Sequence, residues 1–207
     1  MCYNVLGSDN LKNKKKDKNK IYRIITNIIN WTMMICTFII VIYFLKIKDY
    51  TRLSTDVMIY IAIFVPKIFE KTKYKLNDKY KLIYSIFILL GDFLGSVINL
   101  YDHVWWFDLF VHFLSGMLTV VVANYILERS KYKELSGLIK FIYVLGFSSL
   151  IAVCWESIEF FIDIVFKMNM QHSQDTGVID TMTDMIIATL GSLTMYLINL
   201  KTDKHQK

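Results

Sequence analysis

Asp108 and His112 lie four residues apart in DHVWWFDLFVHFLSG (102–116), so a helix would place both on one face, about 6 Å apart along its axis, with Gly116 following. Two other stretches carry similar pairs. Glu156 and Glu159 are three apart in WESIEFFID (155–163), and Asp180 and Asp184 are four apart in DTMTDMIIATLG (180–191). Each pair can present a single helical face. Asp163, four beyond Glu159, continues that stripe if its helix extends. Together these are five carboxylates and one imidazole, with no Lys or Arg among them. Such a group does not stay fully ionised in a partly dry site without help: either protons are shared or a cation sits among the oxygens. Carboxylates with one imidazole suit a divalent metal, namely Mn, Fe or Zn, or with more water Ca or Mg. His112, Glu156, Glu159 and Asp184 are the expected ligands. Crowded carboxylates also suit general acid/base chemistry. The missing cations argue against direct gripping of a phosphate unless a metal supplies the positive charge.

Plainer roles compete with these. Asp108, Glu156 and Asp180 fall near helix ends, where a carboxylate can simply be hydrated or cap a helix. A lone His on an apolar helix is more often a hydrogen-bonded packing residue than a ligand. Buried polar residues can also serve only to fix helix packing.

The elements that must position these residues are apolar helices. Of 207 residues, 55% are hydrophobic, one is Pro, and the 20% that are charged fall in clusters between long apolar runs. That is the layout of a single all-α polytopic membrane domain. The expected spans are 24–45, 54–69, 81–100, 107–127, 138–157 and 180–200, about six helices within a membrane domain over 24–200. A basic cytoplasmic tail (1–23), expected to be disordered, precedes it, and a short cytoplasmic tail (201–207) follows. The run at 54–69 is the weakest, being short with Pro66 near its end. No cleavable signal peptide is visible, so the first apolar run reads as an anchor.

Charge fixes an orientation. With both termini cytoplasmic, 20 of the 24 Lys and Arg fall inside, and only Lys46, Lys48, Arg52 and Lys167 fall outside. Dropping the short second span would put the Lys71–Lys81 cluster outside, so the charge pattern supports six crossings of the cell membrane. The net charge of +6 then reflects membrane orientation and lipid-facing anchoring rather than nucleic-acid binding. In this topology the three acidic pairs reach the outer rim at similar depth. Trp105, Trp106 and Trp155 match an aromatic belt there. Ala188, Gly191 and Ser192, and separately Gly91 and Gly95, offer small surfaces for close helix approach. Asp92 lies near the middle of the third span, where it can feed the same cavity, relay protons or bond a neighbouring helix.

Several chemistries lack their signatures. Cys2, Cys36 and Cys154 are odd in number and widely spaced, which implies packing rather than a disulfide framework. There is no HExxH, EExxxR or CxxC, and no glycine-rich phosphate loop. Gly146-Phe147-Ser148-Ser149 has the look of a serine nucleophile turn, but it falls in mid-helix with no His at its depth.

FDLFVHFLSG (107–116), WESIEFFID (155–163) and DTMTDMIIATLG (180–191), in that order, give a chain that resembles the YjdF-like family of bacterial inner-membrane proteins. The likeness covers most of the chain from about residue 60, Pro66 included. More distantly it is similar to the VanZ-like membrane proteins, which carry an acid-x-x-x-His pair, a Glu near a helix end and a late Asp before a glycine. Those are linked to glycopeptide resistance, hence to the cell envelope; Glu159 stands where that group has a Gln. The resemblance implies fold and membership, not mechanism.

Three functions fit these residues. One is an enzyme on a lipid-linked or other envelope substrate, in which Glu156, Glu159, Asp184 and His112 hold a cation or exchange protons while Asp108 and Asp180 orient them. Another is a transporter or channel for a proton or divalent cation, using the same residues plus Asp92. The last is a structural or partner-binding membrane protein.

Overall fold

A computed structural model describes residues 3–48, 50–131, 135–167, 170–171 and 178–205; Cys2, Lys133 and Lys207 lie outside the described residues. The chain is 86% helical with no strand among the described residues, and five to six of its helices are apolar and able to span a membrane. The five long ones cover 16–47, 78–97, 107–129, 137–165 and 179–202; a shorter apolar helix covers 59–68. The chain divides into two units, residues 1–100 and 101–207.

In the first unit, α1 (Tyr3–Ile47) runs without a break through the basic stretch expected to be disordered. Lys is a fair helix former, and an apolar helix directly downstream removes the cost of nucleation. Lys48 then turns the chain with φ 60°. α2 (Tyr50–Ile68) has Pro66 in its last turn. At 19 residues it is about 28 Å long, close to the hydrocarbon thickness of about 30 Å. α3 (Asp78–Ile88) is capped by Asn77, whose side chain accepts from the Tyr80 amide. It continues as a π-helix over Leu89–Val97, which contains Asp92 and buries Gly91 and Gly95. The wider turn is visible where the Ile98 amide donates to the Phe93 carbonyl, five residues back, at 2.9 Å. Asn99, at φ 68°, ends it.

The core of this unit is made of interlocking side chains: Met33 from α1, Ile59 and Ile63 from α2, Ile88 from α3 and Val97 from the π-helix. Two tyrosines tie helices together by donating to main-chain carbonyls, Tyr60 to Met34 at 2.9 Å and Tyr84 to Ala62 at 2.8 Å. The connection after α2 is held by an ion pair between Glu70 and Lys81 at 2.9 Å.

The second unit follows a short helix, α4 (Leu100–His103), and has three long helices: α5 (Phe107–Arg129), α6 (Gly137–Phe166) and α7 (Ile179–His205). α6 runs well past the expected end near 157, and Lys167 stops it in the left-handed conformation. Among the described residues, α5 and α7 make the most extensive helix pair. They run parallel, because residues around 108–116 lie against residues around 184–192. The reason is the absence of side chains where they meet. A Cβ on Gly116 would sit 1.9 Å from the Ala188 carbonyl oxygen, and one on Gly191 would sit 2.1 Å from that of Phe113. Close backbone approach of this kind replaces the hydrophobic effect, which lipid does not supply between helices. α6 packs antiparallel on both. Below the glycines, Val120, Ala123, Val144 and Tyr196 form an apolar core. The Arg129 guanidinium lies 3.4 Å from the centre of the Tyr125 ring at the far end of α5.

Cys36 and Cys154 are both free, the first half-buried and the second exposed on the surface of α6.

Candidate functional site

The parallel pairing of α5 and α7 brings their N-terminal turns side by side, and α6 returns antiparallel to place its later turns there. All six residues expected from spacing therefore lie at one end of the second unit. Asp108 and Asp180 occupy the first turns of α5 and α7, where the amide dipoles favour negative charge. One turn further in, His112 and Asp184 are buried, as is Glu156 on α6. Glu159 is half-buried.

His112 Nε2 faces two carboxylates, Asp108 Oδ1 at 3.5 Å and Asp184 Oδ2 at 4.0 Å. Both distances exceed a hydrogen bond. The three donor atoms of Asp108, His112 and Asp184 all lie within 4.8 Å of one another. Ligands on opposite sides of one ion are about 4–5 Å apart for bond lengths of 2.0–2.6 Å, so this spread fits a single cation. The expected ligands thus divide. His112 and Asp184 join the group, Asp108 joins them, and Glu156 and Glu159 stand beside it on α6. Glu159 is within electrostatic reach of Glu156, Asp108 and Asp184, and Asp184 within reach of Asp180 and Glu156.

Two oxygens sharpen the picture. Asp184 Oδ1 and Glu156 Oε2 are buried without a hydrogen-bond partner. A buried oxygen left unsatisfied costs about 1–3 kcal/mol, and more when charged.

Spacing did not reveal the residues that close the site. Gln171 donates from Nε2 to the Glu156 carbonyl at 3.1 Å, and the Glu156 carboxyl has Gln171 and Thr181 as polar neighbours. Asp163 does not enter the acidic group. Its carboxylate accepts from the Met170 and Gln171 amides at 2.7 and 3.0 Å, folding the chain after α6 back onto that helix. An acid near a helix end followed by a polar loop is the sequence signal for such a turn.

Beneath the acidic residues lies a hydroxyl cluster that the Gly146–Ser149 stretch hinted at only as a discarded nucleophile. Ser148 is hydrogen-bonded to both Thr119 and Ser192. Ser192 also bonds the Ala188 carbonyl at 2.9 Å and that of Gly116 at 3.1 Å, and Thr119 bonds Gly116 at 2.8 Å. One hydroxyl from each helix meets the same glycine seam, so the cluster joins all three. Trp105, Trp106 and Trp155 are exposed. Asp92 belongs to the first unit, in its π-helix.

Among known proteins, an uncharacterised protein of Thermotoga maritima is 30% identical over 135 residues, covering 64% of this chain and 68% of that one. No solved structure matches the chain. The family model described as "Predicted membrane protein (DUF2238)" matches residues 28–204, which include every helix of the acidic site and the C-terminal part of α1. The chain is therefore a member of that family of multi-pass membrane proteins.

Proposed function

We propose that the second unit is a divalent-cation site serving an enzyme that acts on a lipid-linked or other envelope substrate. The observation that carries this is the Asp108–His112–Asp184 group, three donor atoms within 4.8 Å of one another, two of its residues buried, with a partnerless Asp184 oxygen beside them. A bound cation would supply positive charge to polarise an ester or phosphoryl oxygen. The chain's own residues do the rest. Asp108, His112 and Asp184 hold the ion, and Asp180 adds negative charge at the rim. Glu156 and Glu159 hold or accept the proton that a hydrolytic step must move. Gln171 fixes the α6 turn on which Glu156 sits.

The site is assigned to the outer face of the cell membrane, with both termini cytoplasmic and α2 as a true crossing, because 20 of 24 Lys and Arg then lie inside. Metal analysis of the purified protein tests the proposal: bound divalent metal is expected in the native chain, and its absence across relevant metals and pH values would remove the enzyme reading. Tags at both ends test the orientation, and an external C-terminus would overturn it.

The π-helix around Asp92 favours a second reading, transport of a proton or divalent cation, since such irregular turns often mark functional positions in helices. It requires cation flux in liposomes that is lost in Asp92→Asn. The enzyme reading expects no flux and an unchanged metal content in that variant.

A further inference from the structure

A second candidate site lies in the first unit, apart from the acidic residues. Lys16, Lys20 and Arg23 follow one another at i, i+4 and i+7, so they line one face of α1. That face borders a cleft of about 640 Å³ whose other wall is the start of α3. Lys16, Asp17, Asn19, Lys20, Arg23 and Asp78 line it. Among the described residues none of the three cations forms an ion pair. Lys81, which could have joined them from α3, is held instead by Glu70.

The depth of the cleft follows from its neighbours. From the last of these cations onward the apolar run of α1 begins, with Ile24, Ile25 and Ile28 on the surface. The cleft thus sits where hydrocarbon gives way to water, the level of lipid phosphates. Its chemistry is mixed. Three cations suit a phosphate, and the positive end of the α3 dipole adds to them. Asp17 and Asp78 would repel a bare anion but, with the Asn19 amide oxygen, can accept hydrogen bonds from hydroxyl groups beside the phosphate. A glycerophosphate satisfies both sets at once. We infer that the cleft between the basic face of α1 and the start of α3 binds a glycerophosphate group, either the headgroup of an anionic phospholipid or the free compound.

Native mass spectrometry of the delipidated full-length protein tests this, with phosphatidylglycerol, phosphatidylcholine and free glycerol 3-phosphate as probes. The native chain is expected to retain phosphatidylglycerol about tenfold better than phosphatidylcholine, and Lys20→Gln with Arg23→Gln to abolish that preference. Lys71→Gln with Lys73→Gln removes the same charge elsewhere and is expected to keep it. Equal retention of the two lipids, or equal loss in both double variants, overturns the assignment, because general attraction to negative lipid would then account for the binding. Displacement of phosphatidylglycerol by free glycerol 3-phosphate identifies a soluble ligand at the same cleft, and failure to displace it identifies the lipid. Both variants change exposed side chains. Lys20→Arg with Arg23→Lys, which keeps the charge, is expected to restore the preference if the double Gln variant is less well folded.

Discussion

The two units solve the same problem, holding apolar helices together in lipid, by different means. In the first, bulky side chains interlock, Met33 with Ile59, Ile63, Ile88 and Val97, and tyrosine hydroxyls reach across to carbonyls. In the second, α5 and α7 meet backbone to backbone at Gly116 and Gly191, and hydroxyls from all three helices gather at that seam. Interlocked side chains can change rotamer, so helices joined by them can shift slightly. A glycine seam has no rotamers to change. Directly above it stand His112 and Asp184, one turn from Gly116 and Ala188. The contrast teaches that the helix contact made without side chains lies directly beside the Asp108–His112–Asp184 group.

The strongest break of this contrast is Gly116→Val or Gly191→Val. Each drives a branched side chain into a carbonyl of the facing helix, and a loss of about 3 kcal/mol or more is expected, read as a collapse of thermal stability in detergent. Gly146→Ala is the control within the same unit. Nothing lies within 4 Å of a Cβ there, so the variant is expected to be more stable by about 0.5–1 kcal/mol.

Next come Asp184→Asn and His112→Ala, which are expected to keep the fold and lower bound divalent metal by about tenfold or more, measured on purified protein. Loss of insertion in both would return these residues to a packing role. Ser192→Ala should cost about 1 kcal/mol, and Tyr60→Phe and Tyr84→Phe about 0.6 kcal/mol each. If the tyrosine losses exceeded that of Ser192, the proposed difference between the units would fail.

The smallest effect concerns Glu70, whose carboxyl is held below its usual pKa first by its hydrogen bond to Lys81 and then by the charge of that lysine. A lowered folded-state pKa stabilises above the unfolded value and is lost as pH falls through the folded one. Lys81→Gln should therefore weaken the α2–α3 connection slightly at neutral pH and leave it unchanged in strong acid, as followed by amide exchange.

Much of this was legible in the chain. Spacing alone placed Asp108 with His112, Glu156 with Glu159 and Asp180 with Asp184, because a helix repeats every 3.6 residues whatever surrounds it. Spacing does not say which helices touch most closely. The glycine seam joins α5 to α7, so Asp108 enters the donor group and the α6 glutamates stand beside it. The π-helix at Leu89–Val97 was not legible either, since a shift from i+4 to i+5 hydrogen bonds leaves no mark in the spacing of side chains. The N-terminal lysines suggested disorder by composition, and only their continuity with an apolar helix makes them helical.

The seam between α5 and α7 also has a consequence for biosynthesis. About 70 residues separate His112 from Asp184, and a ribosome adding ~5–20 residues per second needs roughly 4–14 s to make them. During that interval the histidine half of the site waits in the bilayer without its partner helix. A newborn chain is therefore incomplete at this end until α7 inserts, because Asp184, which faces His112, arrives only with that helix.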